Sequence, residues 1–362
     1  LTSSKAGCQY GYQMLWVLAV ASLLMICMTT LGAMLGIYGA KSPCQEIADR
    51  CGRPAAVAIG VVLFLIVACF QSSNNVAVIA SLDGFARFLL PAADGRQPDF
   101  DARGVLKPLA LLTLNGTVVA AIYAARSLYR PIEKLMMCLV LVMLVGFTIN
   151  IVLARPSLTA ALRGLAPSAP GGADGEFFPT IVAGEIRDSY WVLQGLIATT
   201  LSLAGAFFQA YLVREKKWTR TNMKAGLIDS ITGIAVLGGV SALIMITSAA
   251  AFYGKVAPAE LATASDVARQ LEPLFGAKAT LLFSLGLFAA AFSSLLGNAL
   301  IGGTILADSL GRGGTMDGGW SKGLTVLTLA LGMSAAVAAT AADFETVYLI
   351  VFAQALTVLG IP

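Results

Sequence analysis

Histidine is missing from this chain of 362 residues. That removes the side chain most suited to proton transfer near neutral pH and the commonest nitrogen ligand for metals. A zinc-binding HExxH helix and a nucleophile–histidine pair are excluded with it, and no paired acids stand inside the apolar runs. Charge is scarce as well. Asp, Glu, Lys and Arg make up 12% of the residues, about half the share of a soluble domain. The six cysteines are Cys8, Cys27, Cys44, Cys51, Cys69 and Cys138. Four lie in or beside apolar runs, and Cys44 and Cys51 share a short loop without CxxC spacing. A disulfide framework or a zinc site is not indicated; these cysteines read as small helix-packing residues. There is no initiating Met and no signal-peptide pattern. With Pro362 falling inside an apolar run, both ends read as cut.

What is present is hydrophobic: 57% of the residues are apolar. Spans of about 20 apolar residues recur, at Tyr12–Leu35, Ala55–Leu82, Val105–Ala124, Leu135–Leu153, Tyr190–Val213, Leu227–Phe252, Thr280–Leu306, Leu324–Ala341 and Val347–Ile361. Nine spans and a short helical stub at the start define an all-α, multi-pass integral membrane protein in a lipid bilayer. Their close spacing predicts one domain over 1–362. Nothing suggests a nucleic-acid partner or enzyme chemistry.

Loops near 36–54, 125–134, 214–226 and 307–323 hold thirteen of the 24 Lys and Arg residues, with the densest cluster at Arg214–Lys224. The opposite loops are longer and richer in acid. Positive-inside reasoning puts the first set in the cytoplasm and makes 155–189 an external loop. Asp83 and Asp229 lie near span ends and read as interfacial or capping residues. Asn115-Gly116-Thr117 fits a glycosylation acceptor, but its place within a span argues against it.

Two segments exceed generic packing. One is Thr199-Thr200-Leu201-Ser202-Leu203-Ala204-Gly205, at the centre of a span. Hydroxyls bond backbone carbonyls and Gly weakens a helix. A break there frees carbonyls at mid-membrane depth, which is tolerated only beside protein or a cavity. Small-residue helix packing is the alternative. The other segment is Phe70-Gln71-Ser72-Ser73-Asn74-Asn75, which reads either as a water-lined route or as interhelical hydrogen bonding.

The opening, Ala6-Gly7-Cys8-Gln9-Tyr10-Gly11-Tyr12-Gln13-Met14-Leu15-Trp16-Val17, resembles the AGxQ[FY]GYxLLWV stretch of NRAMP metal-ion transporters. Leu31–Lys41, Phe292-Ser293-Ser294 and Gln354-Ala355-Leu356 are similar to that family's second, eighth and tenth helices. The resemblance implies a LeuT-like fold, with inverted five-helix repeats around broken helices one and six. It also implies that the family's DPGN metal ligands fall just upstream of Leu1.

The family's helix-six pattern is roughly GATVMPHNLYLHSALV. This chain resembles it through Ala198–Val213, with departures. Thr199 takes the position whose carbonyl binds metal. Ser202 replaces the metal-binding Met, Ala204 and Gln209 replace two histidines, and Leu203 replaces Pro, so that the break would rest on Ala204-Gly205. Gln354 matches a helix-ten Gln that reaches the metal. Ser241 stands where helix seven usually has Asn. The family's proton-relaying DxxE window corresponds to Phe70–Asn75, whose Gln71, Asn74 and Asn75 are neutral.

Together these changes resemble the divergent NRAMP-related magnesium transporters. The implied metal contacts are Thr199, Ser202 and Gln354. Ser241, Gln71, Asn74, Asn75, Ala204, Gly205 and Gln209 are possible pathway residues. The implied activity is movement of a divalent metal, Mg²⁺ or Mn²⁺, by alternating access with weak or no proton coupling. The metal is substrate, no cofactor is implied, and the expected location is a prokaryotic plasma membrane. The rival readings are an ordinary proton-coupled Mn²⁺ or Fe²⁺ importer, a LeuT-like carrier of an organic solute, and a metal-binding sensor or scaffold without flux.

Overall fold

A computed structural model of the chain describes residues 1–89, 105–123, 156–168, 180–182, 185–187 and 190–342, with residues 138, 141, 144, 145, 147–149, 151, 350, 351, 354 and 355. The spans expected at Leu135–Leu153 and Val347–Ile361 fall largely outside the described residues.

The stub at the start is α1, Thr2–Tyr10. It ends at Gly11, whose φ of 60° lies in the left-handed region that favours glycine. Residues 11–14 form a turn, so the first span starts at Leu15 rather than Tyr12. It is α2, Leu15–Tyr38, about 36 Å long at 1.5 Å per residue and enough to cross a bilayer. Next come α3, Pro43–Cys51, the 37-residue α4, Arg53–Leu89, and α5, Leu106–Tyr123. The expected external loop contains α6, Leu158–Arg163, and a small antiparallel hairpin of β1, Thr180–Val182, and β2, Glu185–Arg187. Loop backbone holds α6 against the start of α2: Trp16 N donates to the Gly164 carbonyl at 2.9 Å and Trp16 Nε1 to that of Ser168 at 3.1 Å.

The second half begins with α7, Trp191–Thr200, and α8, Leu203–Glu215, followed by α9, Met223–Phe252. Short helices α10, Ala264–Ala268, and α11, Glu272–Phe275, lead into the long α12, Ala279–Ser309, and α13, Gly319–Ala341. Among the described residues, seven segments are long and apolar enough to cross a membrane, with α7 and α8 together forming one of them.

Small residues decide how these helices meet, as expected where lipid and side chain are equally apolar. Gly32 and Gly36 of α2 lie against the backbone of Ala206 and Ala210 of α8, a four-residue spacing met by the same spacing. Gly60 and Gly84 of α4 face Ser309 and Ser284 of α12. The two longest helices therefore run antiparallel and in contact over most of their length. Gly332 of α13 lies on Gln71 of α4, and Gly7 of α1 on the Met245 carbonyl of α9. Two blocks result, α4 with α12 and α13, and α2 with α8.

Candidate functional site: a broken helix in the membrane

The helix centred on Thr199–Gly205 is interrupted. The break falls at Leu201 and Ser202, not at Ala204-Gly205 as the resemblance implied. Leu201 has φ −102° and ψ 89°, and Ser202 has φ −91° and ψ 100°. Both are extended conformations that any residue adopts. Ser202 Oγ then accepts from Gly205 N at 3.1 Å, which makes Ser202 the N-cap of α8. Ala204 and Gly205 form the first turn of that half-helix. Ser202 starts a new helix by satisfying an amide left over at its end.

The preceding turn prepares the break. Thr199 and Thr200 both donate their hydroxyls to the Leu196 carbonyl, at 3.0 and 2.9 Å. Such back-bonding bends a helix. With α7 ending at Thr200, the carbonyls of residues 198–201 lose their partners four residues on. Those carbonyls and two hydroxyl side chains are hard oxygen donors at membrane depth, beside the positive end of α8.

Other elements reach this point. Thr2, buried in the first turn of α1, donates its hydroxyl to Gln354 Oε1. A Cβ at Gly195 of α7 would fall 3.2 Å from Thr2 Cγ2 and Val351 Cγ1, too close for ordinary contact, and Thr199, one turn further along α7, is exposed. The fold thus joins Gln354 to Thr2, for which the sequence offered no signal beyond a hydroxyl in an apolar helix. Lys5, one turn after Thr2, is buried with its ammonium 5.5 Å from the centre of the Trp191 ring. Met25 of α2 approaches the Gly205 side of the α8 start. Sequence reasoning missed all three because they come from other helices.

The pathway residues separate into groups. Gln209 Nε2 donates to Ser230 Oγ of α9 at 3.3 Å, joining two helices. Ser241 is half-buried on α9. The α4 run forms a hydrogen-bonded network, with Ser72 and Asn74 half-buried and the buried Asn115 Oδ1 left without a partner. Gln71 Nε2 donates to the Leu295 carbonyl at 2.6 Å, Asn74 Nδ2 to Gln71 Oε1 at 3.0 Å, and Asn75 Nδ2 to the Gln71 carbonyl at 2.7 Å. Asn115 Nδ2 of α5 donates to Asn75 Oδ1 at 2.7 Å, and Ser73 Oγ donates to the Ile350 carbonyl at 3.4 Å. Gln71 and Asn75 are both 0% exposed. This geometry matches the interhelical alternative for the run, with one of its bonds ending a turn before Gln354. Asp83, near the end of α4, pairs with Lys107 at 3.4 Å. Among the described residues no three His, Cys, Asp or Glu side chains cluster as a metal site.

A polytopic helical membrane protein built around a mid-membrane helix break is the class these features define. The chain belongs to the Nramp family, the natural resistance-associated macrophage protein-like proteins, whose pattern it matches over residues 1–362. It is 27% identical over 308 residues to the divalent metal cation transporter MntH of Pectobacterium carotovorum, covering 84% of this chain and 67% of that one. It is 26% identical over 323 residues to MntH of Deinococcus radiodurans, covering 86% and 65%. The chain therefore spans about two thirds of the length of these relatives. Crystal structures of an Eremococcus coleocola manganese transporter share its fold, with a TM-score of 0.63 at 17% identity over 99% of this chain and 72% of that one; a complex of the same transporter with an aromatic bis-isothiourea compound gives 0.60 at 19% identity. The LeuT-like architecture follows from that shared fold. The named relatives are transporters, not enzymes.

Proposed function

We propose that the chain is the transport core of a divalent metal transporter that moves Mg²⁺ or Mn²⁺ across a bacterial plasma membrane by alternating access, with weak or no proton coupling. The names of the relatives support divalent metal as the cargo class. The observation that carries the finer reading is the α7–α8 break, lined by the carbonyls of residues 198–201 and by the Thr199 and Ser202 hydroxyls. Oxygen donors suit Mg²⁺ and Mn²⁺, whereas a thioether favours softer ions. Mg²⁺ keeps several waters, and a serine leaves more room for them than a methionine. Gln354, with Thr2, would complete the contact from the side. Proton relay needs titratable groups; the chain has no histidine, and the α4 run is neutral and hydrogen-bonded to neighbouring helices.

A second reading, an ordinary proton-coupled Mn²⁺ or Fe²⁺ importer, draws on Met25. Its position beside Gly205 could return a thioether to the site from α2.

Proteoliposome flux of Mg²⁺ and Mn²⁺, with internal pH recorded, separates the two. Flux of both ions without acidification is expected. Mn²⁺ flux with matching acidification and no Mg²⁺ flux would establish the second reading instead, and binding without flux of either ion would point to a sensor.

A further inference from the structure

Asp308, next to last in α12, is 0% exposed. Ser42, the N-cap residue of α3, donates to its Oδ1 at 2.8 Å, and Tyr211 of α8 donates to its Oδ2 at 2.7 Å. Tyr211 also reaches Cys44 Sγ at 3.3 Å. Arg53, at the start of α4, donates to the main-chain carbonyls of Asp308 and Ser309 at 3.4 and 3.3 Å, where a cation suits the negative end of α12. A carboxylate so placed has both oxygens occupied, as burial requires.

The cluster bridges the two blocks. Asp308, Ser42 and Arg53 belong to α12, α3 and α4, which pack together. Tyr211 belongs to α8, which packs on α2 through Gly32 and Gly36. Around the polar contact, Ala204 and Phe208 of α8 meet Leu63 and Val67 of α4, Ile305 of α12 and Cys44 in one apolar cluster. Directly outside lies a cavity of about 590 Å³ lined by Ser42, Gln45, Tyr211, Arg214, Glu215 and Thr315. This is the end that basic residues 214–224 assign to the cytoplasm. Because α8 starts at a helix break, it can pivot there without moving α7.

We infer that the Tyr211–Asp308 hydrogen bond is a latch that holds α8 against α4 and α12 at this end, and that its release opens the cavity toward the break. The inference rests on the alternating-access reading, since it assigns one closing contact of that cycle. Metal at the break would act on the latch through α8, whose first residues shape both the break and the apolar cluster. On opening, the Asp308 carboxylate would face the water of the cavity, so the bond can be exchanged for hydration rather than lost to an unsolvated charge.

Cys44 is a built-in reporter. It is 0% exposed in the closed arrangement. Burial pushes its thiol up to about 12, and the thiol donates to the Ile305 carbonyl at 3.8 Å. Alkylation needs reagent to reach a thiol that the closed arrangement buries completely, so faster alkylation of a Tyr211 variant reports opening.

The experiment uses the full protein in lipid nanodiscs with every cysteine except Cys44 replaced by alanine. Tyr211→Phe is expected to speed N-ethylmaleimide alkylation of Cys44 about tenfold, the order set by one hydrogen bond to a charged group. Ser42→Ala, which loosens Asp308 without touching α8, is expected to give a smaller increase. In flux assays Tyr211→Phe should change the maximal rate and, because metal and latch are coupled through α8, shift apparent metal affinity as well. Unchanged alkylation in both folded variants would overturn the latch. So would an equal acceleration at Cys8 in a Cys8-only version, which would mean general loosening. Alkylation needs no transport, so a failed flux assay leaves this test intact.

Discussion

Thr2 and Gln354 are 352 residues apart and share a hydrogen bond, the hydroxyl of α1 donating to the amide oxygen of the late helical segment. The contact joins the start of the chain to its last described turn, beside Gly195 of α7. If metal is held there, Gln354→Ala and Thr2→Ala should each weaken Mn²⁺ binding several-fold. Because each residue positions the other, the double variant should lose less than the sum of the two. Isothermal titration of the four proteins checks this; strict additivity would argue that the two residues act on the ion independently.

Ser202 has two roles that substitution can separate. As N-cap of α8 it should contribute about 1 kcal/mol, so Ser202→Ala should lower the melting temperature while Ser202→Asn keeps it. As a hard donor at the break it should set selectivity. Ser202→Met is expected to raise the preference for Cd²⁺ over Mg²⁺ in competition flux. No change in that ratio would remove Ser202 from the metal contact and leave it as a cap.

The Asn115–Asn75 contact at 2.7 Å lies inside the membrane between α5 and α4. Asn115→Leu should destabilise the protein by roughly 0.6–1.7 kcal/mol, the range for interhelical hydrogen bonds in bilayers. Thermal unfolding in detergent reads this. If the network is packing and no proton route, flux without acidification should persist in the surviving protein; a change in internal pH behaviour would instead make these amides part of an ion path.

Cys44 predicts a pH effect of defined sign. Its thiol is pushed up to about 12 by burial, from an ordinary value of 9.0. The unfolded chain releases that proton first as pH rises, so the contribution of Cys44 is fully present below about pH 9 and lost between about pH 9 and 12. Relative to Cys44→Ala, the parent should lose stability more steeply across that window. Equal slopes in the two melts would show that the thiol is not held in its buried, protonated form.

Much of this architecture was legible in the residues. Apolar runs of bilayer length marked α2, α4, α5, α9, α12 and α13, because a membrane helix must be apolar over its whole length whatever it packs against. The clustered hydroxyls at Thr199–Ser202 marked the break to within two residues. Its placement was less clear, since the departures from the family pattern drew attention to Gly205, whereas capping geometry favours Ser202. Neither reading of Phe70–Asn75 could be chosen from sequence: a polar residue in a span must face protein or water, and only the neighbouring helix shows which.

The sequence by itself determined the helical class and the places of the described spans, the lack of titratable histidine and the oxygen-rich chemistry at the break, because these follow from residue type along one segment. The tertiary structure alone decided which polar groups meet. Thr2 with Gln354, Tyr211 with Asp308 and Asn75 with Asn115 are joined across separate helices. In a membrane helix apolar on nearly every face, hydrophobic periodicity no longer says which side turns inward. That choice falls to close backbone approach at Gly32, Gly36, Gly60 and Gly84, a property of two surfaces fitting together that neither segment carries alone.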